Sequence, residues 1–87
     1  LDLVWDDIRA SCEAIREQVL RHEASPLAYH MTKNLQDVSM LAAYADIPKR
    51  KVKKHLTYDA FMQLDERTLE RYADALRITV DELRSVE

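Results

Sequence analysis

Hydrophobic residues recur at helical spacing along most of the chain. In the first segment they alternate steps of four and three residues, which is the spacing of a coiled-coil seam. The members of this seam are Leu1, Trp5, Ile8, Cys12, Ile15 and Val19. The pattern predicts an amphipathic helix from about Leu3 to Glu23, whose apolar side either packs on the chain's own domain or joins two copies.

Local start and stop signals divide the remaining residues into five shorter helices. Ser25-Pro26 is typical of a helix start, because a serine hydroxyl can accept from an unpaired backbone N–H and proline fits the first helical position. Ile47-Pro48 ends a helix, because the residue before a proline is pushed out of the helical conformation. The predicted helices cover residues 26–35, 38–45, 48–57 and 66–77, and a last one follows residue 79.

Three of these helices have recognisable caps. Asp37 and Asp65 each stand directly before a predicted helix, where a carboxylate can accept hydrogen bonds from the first turn. Thr79 and Glu82 form the T-x-x-E pattern of a capping box at the start of the last helix. Between the caps, residues 57–64 are predicted to be a loop.

The apolar positions predict which side chains form the core. They are Leu27, Met31, Leu35, Leu41, Ala42, Ala45, Val52, Leu56, Leu69, Ala73 and Leu76, with Phe61 and either Met62 or Leu64 anchoring the loop. No stretch shows the alternation of a strand. The chain is therefore predicted to be all-α.

Composition excludes several classes of site. The 87 residues include no glycine, which argues against Gly-rich phosphate loops, and one cysteine, which excludes an intrachain disulfide and an all-cysteine zinc site. His22, His30 and His55 lack the spacing of metal ligands, and no nucleophile–base constellation is apparent. We therefore expect no enzyme activity, no cofactor and no metal. No signal peptide or apolar run of about 20 residues is visible, so we expect a cytoplasmic protein without membrane contact.

Positive charge is concentrated in one short segment. The net charge of the chain is -3, yet five cations fall within six residues: Lys49, Arg50, Lys51, Lys53 and Lys54. Without these five, the rest of the chain has eight basic and 16 acidic residues. Clustered cations repel one another unless an anionic partner neutralises them, and a polyphosphate backbone is the commonest such partner.

Residues 27–84 resemble the phage-repressor-like (XRE-type) helix-turn-helix family. The stretches that carry the resemblance are LAAYADI at 41–47, VKKHL at 52–56 and TLERYADALRITVDEL at 68–83. The last of these is similar to the fourth and fifth helices of that family and is the most specific match. Asp46 and Arg77 stand where the family commonly has glycine, and Pro48 stands where it has a Ser/Thr cap.

The resemblance implies a lambda-repressor-like domain of about five helices at residues 25–87, preceded by an extra amphipathic helix at residues 1–24. It implies a sequence-specific transcriptional regulator, most simply a repressor, that inserts the basic helix 48–57 into the major groove of double-stranded DNA. The expected DNA contacts are Ser39, Lys49, Arg50, Lys51, Lys53, Lys54, Thr57 and Arg67. Arg50 is expected to read guanine, since its fork can span O6 and N7, while Lys51 and Lys53 touch phosphates. A homodimer is expected, through helix 1–24 or the last helix.

Two alternatives stay open at the level of sequence. The chain could be a protein-interaction module, similar to an antitoxin or a phage regulator, that binds a protein partner through the seam of residues 1–24. It could also be a nucleic-acid binder of low specificity, because a lysine-rich helix makes phosphate contacts that carry no direct sequence information.

Overall fold

The computed structural model describes residues 3–86, with side chains from Asp6 to Val86. The described residues form seven α-helices and no strand, which confirms the all-α prediction. The helices are α1 (Leu3–Leu20), α2 (Pro26–Lys33), α3 (Val38–Ala45), α4 (Lys49–His55), α5 (Tyr58–Met62), α6 (Glu66–Leu76) and α7 (Val80–Arg84).

The main core lies where five helices converge. Each contributes a side chain with no exposed surface: Leu27 of α2, Leu41 of α3, Val52 of α4, Tyr72 of α6 and Leu83 of α7. Full burial of a leucine or valine side chain stabilises a fold by about 1.5–3 kcal/mol. Most of the predicted inward positions are confirmed as core, so the apolar spacing identified the packed faces of α3, α4 and α6 correctly.

The first helix packs against α2 and the C-terminal segment of the same chain. Its buried residues Cys12 and Val19 form a second apolar cluster with Ala24, Tyr29 and Val86. The described part of the predicted seam therefore faces the chain's own domain, while seam positions Leu1 and Trp5 lie outside the described side chains.

Several helices end earlier than predicted, and the helix predicted at 48–57 covers only Lys49–His55. α1 stops at Leu20 rather than near Glu23, because His22 takes a left-handed conformation with φ 62°. α2 stops at Lys33, and Leu35 is again left-handed with φ 57°. The prediction that Leu35 faces the core is wrong, since 59% of its surface is exposed. The Gln36 N–H instead closes the end of α2 by donating to a carbonyl five residues back at 3.0 Å.

The segment predicted as a loop contains a helix. α5 spans Tyr58–Met62, and Phe61 on its inner side is 2% exposed. Leu64 is the half-buried anchor and packs against the core, whereas Met62 is 49% exposed. Five residues give little more than one helical turn, which is too short for a periodic pattern to be recognised.

The predicted caps of α3, α6 and α7 are confirmed. The Asp37 carboxylate accepts from the Met40 N–H at 2.8 Å, and the Asp65 carboxylate accepts from the Thr68 N–H at the same distance. At α7, the Glu82 N–H donates to the Thr79 hydroxyl at 3.1 Å, and the Thr79 N–H donates back to the Glu82 carboxylate at 3.2 Å.

Ser25 has a different role from the one predicted. Its hydroxyl does not cap α2 but donates to the His55 carbonyl at 2.8 Å, and its N–H donates to the Leu56 carbonyl at 3.1 Å. The last carbonyls of a helix lack partners inside that helix, and Ser25, which is completely buried, supplies two donors to the end of α4. The start of α2 thereby fixes the C-terminus of α4.

Ser25→Ala is expected to lower the free energy of unfolding by about 1–2 kcal/mol, because the His55 carbonyl loses its donor in a partly buried position. Urea unfolding at 25 °C measures the change. Ser11→Ala on the exposed side of α1 is the matched control and is expected to shift stability by no more than about 0.5 kcal/mol. Equal effects of the two substitutions would contradict the anchoring role.

Arg77→Gly is expected to raise the free energy of unfolding by about 0.5–1 kcal/mol. Arg77 ends α6 with φ 59°, and a left-handed conformation costs about 1–2 kcal/mol for a residue with a Cβ, which exceeds the extra backbone entropy of glycine. Glu70→Gly, at an exposed interior position of the same helix, is expected to lower stability by about 1 kcal/mol. A loss of stability in both variants would mean that residue 77 carries no strain.

Candidate nucleic-acid interface

A three-residue turn joins α3 to α4 and sets the direction in which α4 leaves the core. Asp46 is left-handed, with φ 57° and ψ 47°, and its N–H donates to the Ala42 carbonyl. The Ile47 N–H donates to the same carbonyl at 3.1 Å, and the Ile47 side chain is buried. Pro48 then begins α4, since its carbonyl accepts from the Val52 N–H at 3.1 Å. The turn is therefore fixed by backbone hydrogen bonds and one buried side chain.

α4 is also tied to α6 through a partly buried hydrogen bond. The His55 Nδ1 lies 2.6 Å from the hydroxyl of Tyr72, whose ring is completely buried. Burial raises the pKa of Tyr72, so its hydroxyl stays protonated. Burial lowers the pKa of His55 from its ordinary value of 6.5, and the charges of Lys54 and Lys51 lower it further. A neutral imidazole can accept this hydrogen bond through its unprotonated nitrogen.

The solvent-exposed face of α4 is cationic. All five predicted cations are exposed: Lys49, Arg50, Lys51, Lys53 and Lys54. The ion pairs among the described residues involve only arginines of α1, the residue after α1, and α7, so none reaches these five. The surface is therefore a block of positive charge without a carboxylate partner in the described structure.

The charges in the first turn of α4 work against helix stability. The N-terminus of a helix carries partial positive charge, so acidic residues in the first turn stabilise it and basic residues destabilise it. α4 has no acidic residue in its first turn, which instead contains Lys49, Arg50 and Lys51. Lys53 and Lys54 stand in the last turn, where cations are favourable, but repulsion among neighbouring cations remains. The first turn therefore holds three cations at a cost to the stability of the helix.

The cations occupy distinct flanks of α4. At 100° per residue, Arg50 and Lys54 lie opposite the buried Val52 and project furthest from the core. Lys51 lies on the flank next to α6, and with Lys54 it lines a groove there. Lys53 lies on the other flank. One helix thus presents cations to the outside and to both sides.

The remaining predicted contact residues are exposed, but one of them already makes a side-chain hydrogen bond within the protein. Ser39, the second residue of α3, and Arg67, the second residue of α6, are exposed. Thr57 is exposed too, yet its hydroxyl already donates to the Lys54 carbonyl at 2.8 Å. The Thr57 side chain therefore satisfies a backbone carbonyl at the C-terminus of α4.

Arg71 belongs to the cationic surface and was not predicted from the sequence. It is exposed on α6, its Nη1 donates to the Asp46 carbonyl at 3.4 Å, and it lines the groove with Lys51 and Lys54. Its spacing of four residues from Arg67 is the signal that places both on one face of a helix.

Comparison of the chain with known proteins gives no further information on this surface. The chain matches no protein-family model, no curated protein and no solved structure. Within residues 3–86, no group of three or more His, Cys, Asp or Glu side chains could hold a metal ion. None of the described helices combines the length and apolar character needed to cross a membrane. The cationic face of α4 and the contacts that hold it are therefore the features that bear on function.

Proposed function

We propose that the protein is a sequence-specific DNA-binding regulator of transcription, most simply a repressor. In this proposal α3 and α4 form a helix-turn-helix unit, and α4 enters the major groove of double-stranded DNA. The observation that carries the proposal is the face of α4, which exposes five cations without carboxylate partners in the described structure. Three of these cations stand in the first turn, where they oppose the dipole of that helix.

The dimensions and supports of α4 fit this role. The major groove of B-DNA is about 12 Å wide and admits one α-helix. α4 is fastened on its inner side by Val52, while Ser25 and Tyr72 hold its C-terminal end. Val52 lies on the side away from Arg50 and Lys54, whereas His55 lines the groove beside Lys51 and Lys54. A phosphate backbone can therefore approach the outer face without disturbing the core.

The turn geometry supports the resemblance to the XRE-type family. Asp46 and Arg77 stand where the family commonly has glycine, and both take the left-handed conformation that glycine adopts most easily. Aspartate tolerates this conformation better than most residues, which is consistent with its place in the short turn before α4. These two left-handed positions are consistent with the resemblance and support the proposal.

The homodimer stays a prediction, and the structure bears on which surface could form it. The described parts of both expected surfaces are occupied within the chain, since Cys12 and Val19 of α1 and Leu83 of α7 are buried. The same burial gives no support to a protein-interaction module that uses the seam of residues 1–24. The exposed large apolar side chains among the described residues are Leu20, Leu35, Met40, Tyr44 and Met62. Light scattering in solution and on DNA decides the stoichiometry.

The test of the proposed function is selection of bound sequences from a duplex library with a randomised core, at about 150 mM salt, where non-specific attraction is already reduced. Enrichment of an inverted repeat is the expected result, with half-sites about one DNA turn apart for a dimer. Binding without enrichment would support the low-specificity alternative. Absence of binding would refute the proposal.

Substitutions in α4 separate base reading from phosphate contact. Arg50→Ala is expected to relax the preference at one base position, with a loss of about 1–3 kcal/mol on the selected site, because a guanidinium can contact both O6 and N7 of guanine. Lys51→Ala is expected to weaken binding to all sequences by a similar factor. Anisotropy titrations on the selected duplex and on single-base variants measure both. An equal loss for Arg50→Ala on every duplex would contradict the base-reading role.

A further inference from the structure

A cationic groove of about 290 Å³ runs between α4 and α6, beside the turn that joins α3 to α4. Lys51 and Lys54 line it from α4, and Arg71 and Thr68 line it from α6. Three positive side chains from two helices thus converge on one depression. Asp46 supplies the carboxylate on the same rim, so the charges of these four ionisable side chains sum to about +2 at neutral pH.

The guanidinium of Arg71 has donors to spare. Its hydrogen bond to the Asp46 carbonyl is long at 3.4 Å. No ion pair of the described residues includes Arg71. An arginine carries five N–H donors in a fixed fork that matches two oxygens of a phosphate. Lys51 and Lys54 are exposed and likewise lack a carboxylate partner in the described structure. The groove therefore offers both a fork and two point charges to an anion.

We propose that this groove binds one phosphodiester of the DNA backbone, with Arg71 as its central ligand and Lys51 and Lys54 as flanking charges. The inference rests on the proposed function and adds to it a contact from α6, outside the α3–α4 unit. Phosphate contacts fix the register and orientation of a protein on the duplex. A phosphate held between α4 and α6 would set the angle at which α4 enters the groove.

Arg71 would also connect the proposed phosphate contact to the turn between α3 and α4. Arg71 reaches the carbonyl of Asp46, whose left-handed conformation turns the chain from α3 into α4. A phosphate bound by the same guanidinium would join the backbone of the DNA, the turn and α6 in one set of hydrogen bonds. Arg71 is thus placed to orient α4 without touching a base.

The test compares three variants on one duplex over a salt series from about 50 to 200 mM, a range in which each phosphate contact changes affinity measurably. Arg71→Gln removes the charge and the guanidinium fork but keeps a polar side chain. Arg71→Lys keeps the charge and removes the fork. Arg9→Gln is the matched control, because it removes the same charge from an exposed position on α1. Thermal melting of each variant detects any loss of fold.

Arg71→Gln is expected to bind about tenfold more weakly at the lowest salt and to reduce the slope of log K against log salt by about 0.9, the value for one phosphate contact. Its deficit should shrink by about threefold across the series for the same reason. Arg71→Lys is expected to keep most of the slope, and Arg9→Gln to match the wild type.

Three results would overturn the inference, and only one of them would also refute the proposed function. If Arg71→Gln bound DNA with the wild-type affinity and slope, the groove would hold no phosphate, while the proposed function would stand. If the wild-type chain bound no duplex at any salt concentration, the proposed function would fail and the phosphate site with it. A weaker Arg71→Gln with unchanged slope would assign Arg71 a structural role and would also overturn the inference.

Discussion

Tertiary contacts hold α4 in place, because a helix of seven residues is far too short to be stable alone. Its five cations repel one another, and the three in its first turn also oppose the helix dipole. Val52 is completely buried in the core, Ser25 supplies donors to the last carbonyls of α4, and His55 shares a hydrogen bond with Tyr72. These contacts leave the cations of the outer face exposed.

These attachments explain how one small domain can carry a concentrated positive surface although the rest of its chain is acidic. The anchors of α4 come from the start of α2 and from α6, which belong to the same main core through Leu27 and Leu69. The turn at Asp46 adds a fixed direction, since two N–H groups donate to one carbonyl there. The unfavourable charges of α4 are offset elsewhere, and binding of a polyanion to the folded state would stabilise it further by mass action.

The sequence predicted the features that depend on neighbouring residues. The caps at Asp37, Asp65 and Thr79 each join a side chain to an N–H three residues away, so a four-residue pattern contains the whole interaction. The buried faces of α3 and α6 followed from helical spacing for the same reason. The cationic face of α4 was equally visible, because five charges in six residues need no knowledge of the fold.

The features that the sequence did not reveal depend on distant partners or on very short elements. Ser25 looked like a cap for its own helix, but its hydroxyl bonds to a carbonyl 30 residues away. α5 has only five residues, so no period could be recognised in it. Leu35 continued an apolar pattern, yet the chain turns to the left-handed conformation at that position and exposes it. Arg71 lines the groove with Lys51 and Lys54 because α6 packs beside α4 and the turn, and the sequence does not show this packing.

Mapping of backbone amide chemical shifts in the presence of a duplex tests most directly whether the outer face of α4 meets DNA. The largest shift changes are expected in residues 49–55, with further changes at the start of α3 and around Arg71. Residues of α1 should change little, because its buried side packs on the chain's own α2. Changes centred on α1, or none on adding duplex at moderate salt, would contradict DNA binding by α4.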